Sequence, residues 1–309
     1  MISWRYHIVS IVAVVLAFGL GILAGSAAVD DVLVSEIQAN YERALEERDE
    51  ARREAALFER FADELRPTLR DGRLVGRDAV VVTMEGVERP AQRVLDELGA
   101  AGADVGATLS LTRRLAEPEP EDLEALQDIL RTSASDPADV AHRAVEELAD
   151  RLAVGVPIGQ ADLLARLLDE GFLTADRDLD QAALRGIGGV SRSIVVAAGS
   201  VVTDELPPPE ALLLPLTERL VQLEAPVAVV APTDDRFGLV AAVREDPQIP
   251  DCSVVTVDHI DTVIGGIALV LGLERFFLDP EPGVRPGGDY GVEADALVPG
   301  AEPPASCRE

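Results

Sequence analysis

Three polar residues, Asp258, His259 and Asp261, have the types and the spacing to bind a divalent cation. They follow a predicted strand and open a predicted helix, so they would lie at the carboxyl edge of a sheet, where α/β proteins usually bind ligands. The same pattern is typical of helix capping, with Asp258 at the N-cap and Asp261 in the first turn, where carboxylates favour the helix dipole. We expect capping rather than metal binding here.

A second acidic pair, Asp234 and Asp235, follows the predicted strand Pro226–Ala231. We expect these residues to cap a helix that begins before Phe237. A hydrolase with paired carboxylates would need a second carboxylate at the proper distance, and sequence spacing does not show one.

The glycine-containing segments do not form a catalytic motif. Residues 189–193 (GVSRS) resemble a nucleophile elbow, but serine replaces the second glycine and the segment precedes a strand instead of following one. Gly186, Gly188 and Gly189 stand in the wrong order for dinucleotide binding, which requires a strand, then glycines, then a helix. The sequence also lacks a P-loop. We therefore predict no enzyme activity, no cofactor and no resident metal site.

The elements that would position these residues follow an α/β pattern. Five short apolar runs, rich in β-branched residues, predict strands that are buried on both faces: Ala79–Met84, Asp104–Ser110, Ser193–Ala198, Pro226–Ala231 and Ser253–Val257. Helical patterns alternate with them, which favours a domain with a mainly parallel sheet. Between residues 115 and 185 the helical patterns have no strand among them, which predicts a helical insertion.

Composition excludes several classes of protein. The chain has 309 residues, 48% of them hydrophobic, which is enough to bury a core. Its 56 acidic and 27 basic residues give a net charge of −29, which argues against nucleic acid as a partner. Two cysteines exclude a disulfide-rich scaffold and a four-cysteine zinc site. Every basic residue is arginine, which indicates a GC-rich genome or, alternatively, adaptation to high salt.

Residues 8–29 form an apolar run without a charge. As a helix it would span about 33 Å, against roughly 30 Å for the hydrocarbon core of a bilayer, so we predict a single transmembrane helix. Arg5 precedes it and Asp30 and Asp31 follow it, which predicts a cytoplasmic N-terminus over residues 1–7 and an extracytoplasmic remainder in the cell membrane. A cleaved signal peptide is the alternative, since residues 25–28 (GSAA) are small.

A helical stalk is predicted over residues 30–66, ending before Pro67. Its seam has alternating spacings of three and four residues, typical of a coiled coil; its members are Val34, Ile37, Tyr41, Ala44, Arg48, Ala51, Ala55, Phe58, Ala62 and Leu65. Gly21 and Gly25 form a small-xxx-small pair that would let two helices approach closely. We expect a homo-oligomer through these glycines and the stalk. The alternative is a lone helix that packs on its own domain.

The remaining chain divides into an α/β domain over residues 67–280 and a tail over residues 281–309. The tail is rich in proline and glycine, so we expect it to be extended or partly disordered. A few of its residues could still dock onto the domain, namely Tyr290, Val292, Leu297 and Val298.

The two ends of the chain resemble the actinobacterial copper transporter family MctB. At the start, the likeness is carried by Met1, Ile2, Ser3, Arg5, Ser10, Gly21, Gly25 and Ser26. Near the C-terminus, Val257–Glu274 (VDHIDTVIGGIALVLGLE) and Gly287–Val292 (GGDYGV) are also similar to family segments. The resemblance implies copper efflux and copper homeostasis in the cell envelope. Members have been treated as pore-forming proteins of the outer layer, but the short, uniformly apolar strands here do not resemble those of a membrane barrel.

Copper as a transported ion would favour thiolate, thioether and imidazole ligands. The predicted extracytoplasmic part of the chain offers five such side chains, each isolated in sequence: Met84, His142, Cys252, His259 and Cys307. The two cysteines could form a disulfide outside the cytoplasm. They could equally be one buried thiol and one tail thiol.

Two functions therefore stand as hypotheses. The first is copper transport, which rests on the resemblance. The second is a non-catalytic envelope scaffold or regulator of cell-wall assembly or cell separation that acts through a protein partner. A domain carrying this much negative charge would suit a basic surface on such a partner.

Overall fold

The computed structural model describes residues 4–156, 161–190, 192–199, 210–235, 238–278, 284–292, 294, 296–300 and 307. The side chains of residues 5, 6, 24–36, 88 and 210 are outside this description. The chain separates into two compact units, Met1–Phe61 and Ala62–Glu309.

The first unit contains most of a long helix, α1, which covers Trp4–Arg70. Crossing a bilayer requires about 20 consecutive apolar residues. In the described part of the chain no helix has an apolar stretch of sufficient length to cross a membrane. The transmembrane helix that we predicted over residues 8–29 is therefore wrong, and with it that element of the predicted architecture.

Helix α1 also continues beyond the predicted end of the stalk. Pro67 lies inside the helix, and the backbone amide of Asp71 donates to the carbonyl of Pro67 at 3.0 Å. Arg70 is fixed by the buried Glu97, whose carboxylate lies 3.0 Å from the Arg70 guanidinium. Proline removes one hydrogen-bond donor but already has a helical φ. Contacts that hold the last turn can therefore carry the helix past it.

The second unit is an α/β domain built on a seven-stranded sheet in the order β3-β2-β1-β4-β5-β6-β7. The strands are β1 (Asp78–Met84), β2 (Asp104–Leu111), β3 (Leu173–Ala175), β4 (Ser193–Ala197), β5 (Val227–Val230), β6 (Val255–Val257) and β7 (Gly288–Tyr290). The helices are α2 (Glu88–Ala100), α3 (Arg113–Ala116), α4 (Pro120–Leu130), α5 (Pro137–Val154), α6 (Leu163–Asp169), α7 (Gln181–Gly186), α8 (Glu210–Gln222), α9 (Leu239–Glu245) and α10 (Val263–Arg275). The predicted α/β class is confirmed.

The sheet is mixed, because β3 pairs antiparallel with β2 while the other neighbours pair in parallel. Strand β3 lies between residues 115 and 185, where we predicted only helices, so the insertion supplies one edge of the sheet. The tail supplies the other edge through β7, where we expected extended or disordered chain. Each of these edge strands is three residues long, which is too short to produce an alternating pattern in the sequence.

Both faces of the sheet are buried. Along β1, Val80 and Val82 pack in one apolar cluster, whereas Ala79 and Val81 pack in another. This alternation follows from the two-residue period of a strand. Helices α2 and α10 contribute to the cluster of Ala79, and helices α5 and α8 to the cluster of Val80. The uniformly apolar strands predicted from the sequence reflect this double burial.

Candidate functional site at the carboxyl edge of the sheet

The strand order reverses between β1 and β4, which is where open α/β sheets usually bind ligands. Val87, after β1, is 4% exposed and packs against Gly199, after β4. A Cβ atom at Gly199 would lie 2.1 Å from Cγ1 of Val87, so the two residues are in close contact. The Thr83 hydroxyl also donates to the carbonyl of Ala197 at 2.9 Å. Among the described residues, this crevice is thus filled by protein atoms.

The polar side chains of the same edge gather around Asp258, directly after β6. Arg244 Nη1 on α9 donates to Asp258 Oδ2 at 2.9 Å, and the Val292 amide donates to Asp258 Oδ1 at 2.8 Å. Arg244 also donates to the Thr256 hydroxyl at 2.9 Å and to the carbonyl of Tyr290 at 3.1 Å. Asp258 and Arg244 therefore join α9, β6 and the tail.

His259 lies beside this pair, with Nδ1 3.1 Å from Asp258 Oδ1. The residue is 2% exposed, and Nε2 is buried without a hydrogen-bond partner. Burial lowers the pKa of the His259 imidazole, while the Asp258 carboxylate opposes that change. The ring is consequently neutral near pH 7. Asp258 accepting the Nδ1 proton would leave Nε2 with a free lone pair.

The carboxylates do not cap the next helix as we predicted. Thr262 is the N-cap of α10, and its hydroxyl accepts from the Gly265 amide at 3.0 Å. Asp261 instead accepts from the amide and the hydroxyl of Thr233, at 2.8 and 2.9 Å. Asp258 is committed to Arg244 and Val292. Both predicted capping roles are thus wrong, because Thr262 is the N-cap and the two carboxylates bind residues of other elements.

The prediction for Asp234 and Asp235 is also wrong. Helix α9 begins after Gly238, which is its N-cap and has a left-handed φ of 67°. Between described residues, no side-chain hydrogen bond caps this helix at Gly238. Asp235 lies in the turn after β5, where its amide donates to the carbonyl of Pro232 at 3.0 Å. Phe237, where we placed the helix start, is outside the described residues.

The five candidate copper ligands lie in different environments. Cys252 and Cys307 form a disulfide with a Cα–Cα distance of 5.4 Å, so neither supplies a thiolate in this state. Met84 is 3% exposed and packs in the core. His142 is half exposed on α5, with Nε2 3.6 Å from Glu146 Oε1. Within the described part of the chain, no group of three or more His, Cys, Asp or Glu residues could hold a metal ion.

A carboxyl pair that sequence reasoning missed, Glu218 and Asp246, lies close enough to Glu146 to feel its charge. Burial, a hydrogen bond with Asp246 and the charges of Asp246 and Glu146 raise the pKa of Glu218 to about 7. Glu218 is on α8 and Asp246 follows α9, so the pair forms only when the two helices pack together. Nothing in the sequence marks it, because acidic residues are abundant throughout this chain.

The glycines have structural roles where they are described. A Cβ atom at Gly188, which has a φ of +73°, would lie 2.5 Å from the carbonyl oxygen of Leu152, so this glycine allows close packing on α5. Gly189 has a φ of +114° and donates its amide to the same oxygen at 2.8 Å. Gly21 has no atom within 4 Å of a built Cβ. Gly25 is in the range 24–36, for which the structure describes the helix but not the side-chain packing.

A comparison with family models identifies the chain. The model described as "Copper transport outer membrane protein, MctB" matches residues 1–299. The chain belongs to the MctB family. The resemblance that the two ends of the sequence indicated is thereby confirmed, and the match extends through the α/β domain as well.

Curated members of the MctB family are similar over most of their length. The copper transporters MctB of Mycobacterium bovis and Mycobacterium tuberculosis are each 27% identical to this chain over 310 residues. The match covers 88% of this chain and 92% of each relative. The MctB description names transport and an outer membrane, not a catalytic reaction, and so implies a protein associated with the cell envelope.

Proposed function

We propose that this chain acts in copper homeostasis at the cell envelope and contributes to copper efflux. The observation that carries the proposal is the MctB family match over residues 1–299. Relatives that carry the name copper transporter align over 88% of the chain, which supports the same role. Copper is here the transported ion and not a resident cofactor.

The disulfide of the α/β domain supports a location outside the cytoplasm. Cytosolic reductants keep thiols reduced, whereas disulfides persist in oxidising compartments such as the bacterial periplasm. The Cys252–Cys307 bond ties the C-terminal tail to the turn before β6, across a separation of 55 residues. This bond supports a domain that works outside the cytoplasm.

The candidate copper ligands lie in separate places of the α/β domain, and this dispersion indicates how the domain contributes to copper transport. Cu(I) favours sulfur and imidazole ligands, and two of the five candidate side chains, Cys252 and Cys307, are already joined in the disulfide. Met84 and His259 are buried, and His142 is on the surface of α5. We infer that the α/β domain supports transport through assembly or partner contacts and does not store copper.

The test measures cell-associated copper in a deletion strain that grows in added copper. We expect copper to rise about twofold or more, and complementation with the wild-type gene to restore it. A His142→Asn, His259→Asn double variant should also restore it if the domain does not hold copper through imidazole. Unchanged copper in the deletion strain would overturn the efflux role.

A second candidate is a non-catalytic scaffold of the envelope that acts through a protein partner. It is favoured by the lack of a metal-binding group among the described residues. With a net charge of −29, the chain would favour a partner with a basic surface. Affinity capture from envelope extracts, at low and high salt, should then recover a cell-wall factor in a salt-sensitive manner. Recovery of no such factor, together with raised copper in the deletion strain, would remove this candidate.

A further inference from the structure

Helix α1 carries a line of side chains that the described residues of its own unit leave exposed. Ile37 is 58% exposed, Tyr41 64% and Phe58 52%, all within the unit Met1–Phe61. Large exposed apolar side chains in one line are typical of an interaction surface. We call the part of this line over residues 37–58 the α1 seam; its members are Ile37, Tyr41, Ala44, Arg48, Ala51, Ala55 and Phe58.

The spacing of the α1 seam fits another helix of the same kind. Its members alternate at three and four residues, an average of 3.5, and that period keeps one face against a partner helix as the two supercoil. A single long helix gains little stability by itself in water, since most helical stability in proteins comes from packing of an apolar face. Helix α1 has 67 residues and therefore needs such packing.

Charge beside the seam indicates the direction of the partner. With Tyr41 and Arg48 at position a of the heptad, Glu47 falls at position g and Arg52 at the following position e. In a parallel pair of identical helices, these two positions face each other across the seam. Both side chains are exposed, so each is free to approach a second chain. The next g and e positions are occupied by Glu54 and Glu59. Their like charges repel each other across the seam, so we expect the association to be moderate in strength.

We propose that two copies of this chain pair through the α1 seam as a parallel, in-register coiled coil. Arg48 then faces Arg48 of the other copy at position a, where a charged residue lowers stability. Among the described residues of its own chain, Arg48 pairs with the adjacent Asp49 at 2.7 Å, and both side chains are about half exposed. Replacing Arg48 with an apolar residue should therefore strengthen the dimer.

The register can be tested by cross-linking the full chain. Ala51 lies in the α1 seam, whereas Ala56 lies outside it, and both are exposed alanines. Under mild oxidation, Ala51→Cys should form a covalent dimer at least about tenfold faster than Ala56→Cys. Ala55→Cys tests the direction, because in an antiparallel pair over residues 37–58 residue 55 would face residue 40, whereas a parallel pair brings the two copies of residue 55 together. Equal rates, or no cross-link at residue 51, would overturn the proposal.

Adjacent residues provide a matched test of affinity. Leu57 and Phe58 are 61% and 52% exposed, but only Phe58 belongs to the seam. Burial of one such side chain is worth about 1.5–3 kcal/mol, which corresponds to a change of about tenfold or more in the dissociation constant. Sedimentation equilibrium of the full chain should show weaker dimers for Phe58→Ser, little change for Leu57→Ser and stronger dimers for Arg48→Ile. A wild-type chain that is monomeric, or an assembly of another size, would overturn the proposal.

Discussion

Arg244 and Asp258 form an ion pair between α9 and the segment after β6, with Nη1 2.9 Å from Oδ2 and both side chains 13% exposed. The pair is more than a surface contact, because Arg244 also donates to the carbonyl of Tyr290 in the edge strand β7. The packing is tight: a Cβ atom at Gly291 would lie 1.7 Å from Asp258 Oδ1. The edge of the sheet that could have bound a cation is instead occupied by this ion pair, which connects α9 and β6 to the tail.

Removal of Arg244 should destabilise the domain strongly. Arg244→Met would leave the Asp258 carboxylate without its cation, and breaking a buried pair in this way costs about 3–5 kcal/mol. The control is Arg219→Met, which breaks a 2.8 Å pair with Asp150 whose side chains are 34% and 43% exposed. An exposed pair of this kind is worth about 0–1 kcal/mol. Urea unfolding measures the free energy of unfolding of both variants. Equal losses would show that the Arg244–Asp258 pair stabilises the domain no more than an exposed pair does.

Protonation of His259 should weaken the fold in mild acid. Because burial lowers its pKa in the folded chain, the unfolded chain binds the proton more readily, with an ordinary pKa of about 6.5. The contribution is present above that value and is lost as the pH falls below it towards the folded pKa. An NMR titration should therefore show that the imidazole of His259 gains its proton at a lower pH than an ordinary histidine. The exposed His142 is the control, and a His259 that titrates at its ordinary value would contradict the prediction.

Glu218 should have the opposite effect on pH dependence. Its pKa is raised to about 7 by burial and by Asp246, so the folded chain holds this proton more tightly than the unfolded chain, with a reference value of 4.5. The stabilisation is complete below the unfolded pKa and is lost as the pH rises through about 7.

Glu218→Gln should accordingly flatten the loss of stability between pH 5 and pH 8, as measured by denaturant midpoints. The matched variant is Glu124→Gln, because Glu124 is exposed on α4 and should leave the slope unchanged. If both variants behave like the wild type, the pKa of Glu218 is not raised in the folded chain and the prediction is wrong.

The disulfide should contribute substantially to stability. In the chain-entropy account, a bond across 55 residues stabilises the fold by about 4 kcal/mol. We expect the double variant Cys252→Ser, Cys307→Ser to unfold at lower denaturant than the oxidised wild type. Wild-type protein treated with a reductant should match the double variant. Non-reducing peptide mapping must first show the Cys252–Cys307 link, and free thiols in protein from the oxidising compartment would contradict the bond and remove the support that it gives to the location.

The central strands could be predicted from the sequence because each one is a short run of mostly apolar residues, which is a local pattern. Strands β1, β4, β5 and β6 are buried almost throughout and β2 is buried over its second half, so most of their residues are apolar. The heptad spacing of the stalk and the family likeness at the two ends are also local patterns. The edge strands β3 and β7 were not accessible, since three residues carry no periodicity and their partners are distant in sequence.

The sequence by itself determined the α/β class, the buried strands, the acidic charge and the family likeness, because each depends on residue type and short spacing. The tertiary structure decided the partners of the polar residues. Arg244 reaches Asp258, Thr233 reaches Asp261, and Asp246 reaches Glu218 only when separate elements pack together. The choice between a disulfide and two thiols was decided in the same way, since it depends on bringing Cys252 and Cys307 to a Cα–Cα distance of 5.4 Å. A carboxylate binds the partner that folding brings within reach, and adjacency in sequence does not specify that partner.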